Sequence, residues 1–428
     1  MRHRTEVSRV RVAVAAGLAA GLATGLATGL AGGLSIAVVG GAAPAAAAGA
    51  RLIPCDAIQT TGSDPDLGAI GKVRAGPDPA AELEVDAARR AVRTTGHEPG
   101  AGIEVAVIDS GVEGRAARPG FTGRQRSGEY FHGTVVANLI HGIAPRARLI
   151  DLPVWVQPDP RTGRTGYVDG RAVAGALDEL LARPGRLDRL VVNLSLHLPG
   201  SAALRHRIEA LVDRGAMVVA AAGNLGDPGT DTGTAAQPSP PPSGADFADR
   251  IEPAGYPGTV AVGVSATPGL GGDATEAVLP NSATDIVAPT AGARSRTLYG
   301  VRCVIESMAT SWSTAEVSGV LALVASADPR ATGREVIDRV LRTADGRAEQ
   351  GSRYTGAGVV SAYDAVTRPL ASSDSGDSGD SARVARAPLD PPADDVLAGT
   401  RSHTVWWGLI GGGALLLGLV VRPLFRRR

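Results

Sequence analysis

Aromatic residues make up only 3% of this 428-residue sequence. Its core must therefore be built from Val, Leu, Ile and Ala, which dominate the 44% hydrophobic content. Lysine is almost absent: Lys72 stands alone, and arginine carries the rest of the positive charge. Basic and acidic residues balance at 43 each, and no long basic run marks a strand or helix. Composition thus argues against a nucleic-acid partner. There are two cysteines, Cys55 and Cys303, too few to hold a structural zinc by themselves. No carboxylate cluster shows the loop spacing of a calcium site, so no metal or other cofactor is expected. The cysteines form either one disulfide, the natural reading in an exported protein, or two buried free thiols.

The two ends carry long uncharged runs. Arg2, Arg4, Arg9 and Arg11 precede an Ala/Gly/Leu stretch that ends in Ala48-Gly49-Ala50. Residues 1–50 are expected to be an export signal cleaved before Arg51. Glycine recurs at Gly17, Gly21, Gly25 and Gly29, a spacing that permits close helix packing in a bilayer, so an uncleaved anchor is the alternative. At the other end, 405–421 reads VWWGLIGGGALLLGLVV, and Arg422, Arg426, Arg427 and Arg428 follow. A transmembrane helix over 403–421 is expected, with 422–428 a basic cytoplasmic tail and the rest of the chain outside. Residues 368–402, with SSDSGDSGDS and APLDPPADD, cannot bury a core and read as a disordered polar linker. The stretch 226–246, rich in Pro, Gly and Thr, reads as a long surface loop.

Between these ends lie an N-terminal extension, 51–99, and a domain, 100–367. In the domain, strand runs at 103–108, 147–156, 190–196, 216–222, 259–264 and 285–288 alternate with helical patterns at 134–141, 172–182, 204–214, 314–327 and 333–341. The alternation predicts an α/β fold with a mostly parallel central sheet and helices on both faces. Ligand sites in such folds lie at the carboxyl ends of the strands. Asp109 follows the first strand, His132 opens a helix, Asn224 ends the strand VVAAAG and Ser311 stands at a turn-to-helix junction. Polar groups at element ends can be aimed by a rigid scaffold. The other histidines fit less well: His141 is off the face of His132, His97 lies in a Gly/Pro loop, and His206 sits among arginines.

VAVIDSGV at 105–112, FHGTVVANLIHGIAPRARLI at 131–150, AMVVAAAGN at 216–224 and MATSWSTAEVSGVLALV at 308–324 resemble the aspartate, histidine, oxyanion and serine segments of subtilisin-like (peptidase S8) serine proteases. GYPGTVAVGVSA, ATDIVAPTAG and YTGAGVVSAYDAV resemble that family's later segments, in order. The resemblance implies a three-layer subtilisin-like fold and a serine endopeptidase with Asp109, His132 and Ser311 as catalytic triad. It implies Asn224 as oxyanion donor, and Ser195, Leu196, His197 and Gly223 as substrate-binding residues for a protein or peptide. The architecture as a whole resembles the mycosins, proteases associated with type VII secretion in actinobacteria, which implies that machinery as a partner and the cell membrane as location.

Three positions depart from the family pattern. Ala309 stands where the family has glycine before Thr-Ser, Ala315 where it usually has proline, and His197-Leu198 where it has two glycines. If the backbone at 309 needs φ > 0, alanine is strained there. Side chains at 197 and 198 would crowd the pocket and restrict the residue before the scissile bond to Ala or Gly. Two functions stay open on the sequence: an active, membrane-anchored endopeptidase, or a protease-like structural component of a secretion complex with a weak or idle site.

Overall fold

The protein is seen in a computed structural model that describes residues 50–59, 66–113, 130–156, 167–198, 200–225, 244–346 and 352–370. The export signal, the C-terminal apolar run and its basic tail, and most of both low-complexity stretches lie outside these residues. No helix among the described residues is long and apolar enough to cross a membrane.

The described chain opens with β1 (Arg51–Pro54), β2 (Val73–Arg74) and two helices, α1 (Pro79–Glu82) and α2 (Val85–Thr94). There follow β3 (Glu104–Asp109), α3 (Phe131–Ile143), β4 (Arg148–Pro153), β5 (Trp155–Val156), β6 (Tyr167–Val168) and α4 (Gly170–Leu181). Next come β7 (Leu190–Leu194), α5 (Ala202–Asp213), β8 (Met217–Ala221), β9 (Thr259–Ser265) and β10 (Ile286–Pro289). The described chain closes with β11 (Arg294–Arg296), β12 (Arg302–Val304), α6 (Thr310–Ala327), α7 (Gly333–Arg342) and α8 (Ala362–Thr367).

Six strands form a parallel sheet in the order β10-β9-β8-β7-β3-β4. β7 and β8 are buried at every residue, as both faces of a parallel sheet must be. The period-2 alternation sorts their side chains into two cores. Val105, Val107, Val191, Met217 and Val219 join α2, α3 and α6. Ala106, Ile108, Val192, Val218 and Ala220 join α4 and α5 on the other face. The result is a three-layer α/β fold. The chain runs outward from β3 to β4, then returns to β7 on the other side of β3. That reversal opens a crevice at the carboxyl ends of β3 and β7.

Two boundaries differ instructively from the sequence reading. The run 147–156 is not one strand: after Pro153, the Val154 N–H turns to the Asp109 carbonyl at 2.8 Å, and Trp155–Val156 pairs with β6 instead. The helix expected from residue 314 begins at Thr310, because its Thr-Ser-Trp-Ser first turn lacks the apolar periodicity that marks helices in sequence. Residues Thr310 to Ser326 of α6 are all buried, as expected of a helix at the centre of a large domain.

The segment before Gly100 packs into the same core as α6, through Ile53, Leu83, Val85 and Val92. β1 adds to a second sheet of order β11-β12-β1-β2, with Ile53 in register with Cys303. Cys55 and Cys303 form a disulfide, with Cα atoms 4.9 Å apart. The bond closes a sequence separation of 248. We expect Cys303→Ala to lower the unfolding free energy by roughly 3–5 kcal/mol, the range for long loops, in urea titration of oxidised protein. An unchanged midpoint would show that loop closure contributes nothing.

Candidate active site

The carboxyl end of β3 and the first turn of α3 meet at one point. Asp109 is fully buried there. Its Oδ1 accepts the Ser110 N–H at 2.7 Å, and Oδ1 and Oδ2 lie 2.8 and 3.0 Å from His132 Nδ1. A carboxylate held this way keeps the proton on Nδ1 and leaves Nε2 as the basic nitrogen. Ser110 pins the two elements together: its hydroxyl donates to the Tyr130 carbonyl at 3.1 Å and accepts the Gly133 N–H at 2.9 Å. Residue 133 must be glycine, since a Cβ there would stand 2.6 Å from the Gly111 carbonyl oxygen.

His132 and Ser311 line one cleft of about 420 Å³, together with Ser195, Leu196, His197 and Asn224. Ser311 lies in the first turn of α6. Asn224 follows β8, and its Oδ1 accepts from the Thr310 N–H at 2.8 Å and the Thr310 hydroxyl at 3.0 Å. With the oxygen so occupied, the amide NH2 is left to donate elsewhere. The Thr310 clamp escaped the sequence reading, although Thr310 adjoins the serine. Ser195 lies in the cleft, but its hydroxyl is 2.8 Å from the Ser311 carbonyl and 3.1 Å from Asn193 Oδ1. It braces the first turn of α6.

Gly223 is not among the lining residues. Its φ of +104° suits glycine, and a Cβ would meet Leu279 at 3.0 Å and Ile251 at 3.1 Å. Those two buried side chains close the space behind it. Leu198 does not crowd the cleft as expected: it is 3% exposed in the α4–α5 core, with its N–H bonded to the Glu252 carbonyl at 2.7 Å. Residues 195–198 follow the end of β7, and the Leu198–Glu252 bridge accompanies the turn of Leu198 into the core while Leu196 and His197 line the cleft. Ala309 is extended, with φ −146° and ψ 139°, so the exchange of glycine for alanine carries no strain.

Two further contributors were missed in the sequence. Among the described residues, three aromatic rings lie around His132, Trp312 at 4.6 Å, Phe131 at 6.2 Å and Trp155 at 6.5 Å between ring centroids, and Tyr130 stacks on Trp155 at 5.2 Å. In a chain so poor in aromatics, their rarity was the available signal. Cys55, Asp56 and Gln59 of the N-terminal extension also line the cleft. The signal for them was Cys303, eight positions before Ser311.

The sequence profile of the subtilase family matches residues 100–360. Mycosin-3 of Mycobacterium tuberculosis is 27% identical over 349 residues, covering 69% of this chain and 74% of its own. Subtilisin E of Bacillus subtilis is 30% identical over 268 residues, covering 57% of this chain and 61% of its own. Among solved structures, the MycP3 protease from the type VII (ESX-3) secretion system superposes with a TM-score of 0.51 at 28% identity, covering 74% of this chain and 92% of its own.

Beneath the triad-like pair lies a second buried carboxyl. Asp151 stands on β4 in register with Val107, is 3% exposed, and accepts the Val112 N–H at 3.2 Å through Oδ2, while Oδ1 has no partner. Burial first, and the nearby Asp109 charge second, push its carboxyl up to about 7. Asp285, half-buried just before β10, is likewise pushed up to about 6 by burial. Both groups hold a proton in the folded state that the unfolded chain sheds near pH 4. Stability therefore falls as pH rises from about 4 to about 7 and levels off above. Asp151→Asn, which mimics the protonated acid, is expected to be neutral near pH 4 and to stabilise on the order of 3 kcal/mol near pH 8. Equal destabilisation at both pH values, in denaturant titrations, would contradict this.

Proposed function

The chain belongs to the subtilase family and is a serine endopeptidase related to the mycosins, and on that footing we propose that Asp109, His132 and Ser311 are its catalytic triad. The observation that carries this is the bond from His132 Nδ1 to buried Asp109, with the histidine and Ser311 in one cleft.

In this reading Nε2 of His132 takes the Ser311 proton as the hydroxyl attacks the scissile carbonyl. Asp109 holds the ring orientation and stabilises the imidazolium that forms. The Asn224 amide, aimed by Thr310, and the Ser311 N–H donate to the tetrahedral oxyanion. His132 then returns the proton to the leaving amine. His197 in the cleft, and Ile251 and Leu279 behind Gly223, support a small residue before the scissile bond. The unstrained Ala309 removes the main reason to think the site idle.

Similarity to mycosins supports work beside a type VII secretion machinery. The uncharged run at 405–421 and its trailing arginines support a single membrane span with the protease outside. External protease on wall-stripped cells is then expected to release the catalytic domain; protection until lysis would refute that topology.

A fluorophosphonate probe should label the wild type and not Ser311→Ala. Asn224→Ala should lower kcat by about 10²–10³-fold, with KM little changed. In a peptide library, cleavage is expected after Ala or Gly. Labelling that survives Ser311→Ala, or efficient cleavage after Phe or Tyr, would overturn the site or its pocket respectively.

A further inference from the structure

Among the described residues, the lining of the cleft carries charge of one sign: Asp56 and Glu306 are its acidic residues, and no described Arg or Lys lines it. This stands out in a chain whose charges balance at 43 of each sign. Both residues are exposed to solvent, where a ligand can reach them.

Neither carboxylate sits on a free loop. Asp56 follows Cys55, and Glu306 comes three residues after Cys303, the two halves of the disulfide. β1 and β12 pair in parallel just before these positions. The Phe131 N–H, next to His132, donates to the Gln59 carbonyl at 3.0 Å and holds the far end of the Cys55–Gln59 segment against α3. The acidic wall is therefore tied covalently and by hydrogen bonds to the element that carries the histidine.

The same cleft presents the aromatic surfaces of Tyr130, Trp155 and Trp312. Flat aromatic faces beside carboxylates match the two halves of a long cationic side chain. Its methylene stem and its charge pack on the rings, and the charge also pairs with the carboxylates. An acidic peptide meets repulsion in the same cleft.

We propose that Asp56 and Glu306 are specificity-determining residues that select a peptide segment carrying Arg or Lys beside the scissile bond, and that the Cys55–Cys303 disulfide holds them in place. This rests on the reading of the cleft as the protease site. It adds a substrate class to that reading, and it makes the N-terminal extension part of substrate recognition.

Binding separates this proposal from the catalytic one. Full-length Ser311→Ala protein is titrated with fluorescent peptides identical except for Lys, Ala or Glu at each position around an Ala–Ala bond, and anisotropy gives Kd. At one or more positions the Lys peptide is expected to bind about tenfold tighter than the Glu peptide. The advantage should shrink as salt rises to about 0.5 M. In the D56K/E306K background the order should invert, an outcome that simple misfolding cannot produce. Reduction of the disulfide should weaken the preference. Equal affinities at all positions, or a Lys preference that survives the charge reversal, would overturn the proposal. A Lys preference in a protein that fails to label at Ser311 would leave the charge assignment standing and sink the catalytic one.

Discussion

The site depends on the contact between the end of β3 and the start of α3. A carboxylate can orient an imidazole only at hydrogen-bond distance, and Asp109 and His132 are separated by 23 positions of chain. Here the distance is set by backbone. β3 is held on both sides, by β4 and β7, and α3 is held by α6. Ser110 bonds both to Tyr130 and to Gly133, and the missing Cβ of Gly133 lets the helix settle onto Gly111. A methyl group at 133 would push the helix back, and the carboxylate would be left buried without its imidazole partner, a costly state.

α6 transmits the same order to the other half of the proposed site. Its first turn carries Thr310, Ser311 and Trp312, and its body is buried against β7, β8, β9 and α3. Such a helix has little freedom to slide, because its packing is lost wherever it moves. The polar clamps then refine the placement: Asn224 on Thr310, Ser195 on the Ser311 carbonyl, and Asn193 on Ser318. Each comes from a strand end or its following residues, so sheet and helix fix one another. The scaffold positions backbone, and buried side-chain amides and hydroxyls take up the remaining tolerance.

The extension before Gly100 plays a larger part than a leader to the domain would. Its apolar residues share the core of α6, its first strand joins β12, and its disulfide lies beside the cleft. The covalent link and the strand pairing act on the same segment. Strand pairing sets its direction and register, and the disulfide prevents the short pairing from fraying.

What the sequence determined alone were the parts whose signal is local. The central strands were legible because burial on both faces demands unbroken apolar runs, and β7 and β8 are such runs. Asp109, His132, Asn224 and Ser311 were legible as candidates for the proposed site because each sits in a short run of residues recognisable together. Legibility failed where a residue's role depends on what lies across space. Nothing local distinguishes Leu198, turned into the core, from His197, turned into the cleft, because both follow the end of β7 and packing against distant segments decides where each side chain goes. Ala309 could not be read as harmless without its backbone angles. Asp56 and Trp155 became cleft residues only when distant segments closed on His132, since long-range packing decides which exposed polar and aromatic groups come to share one space.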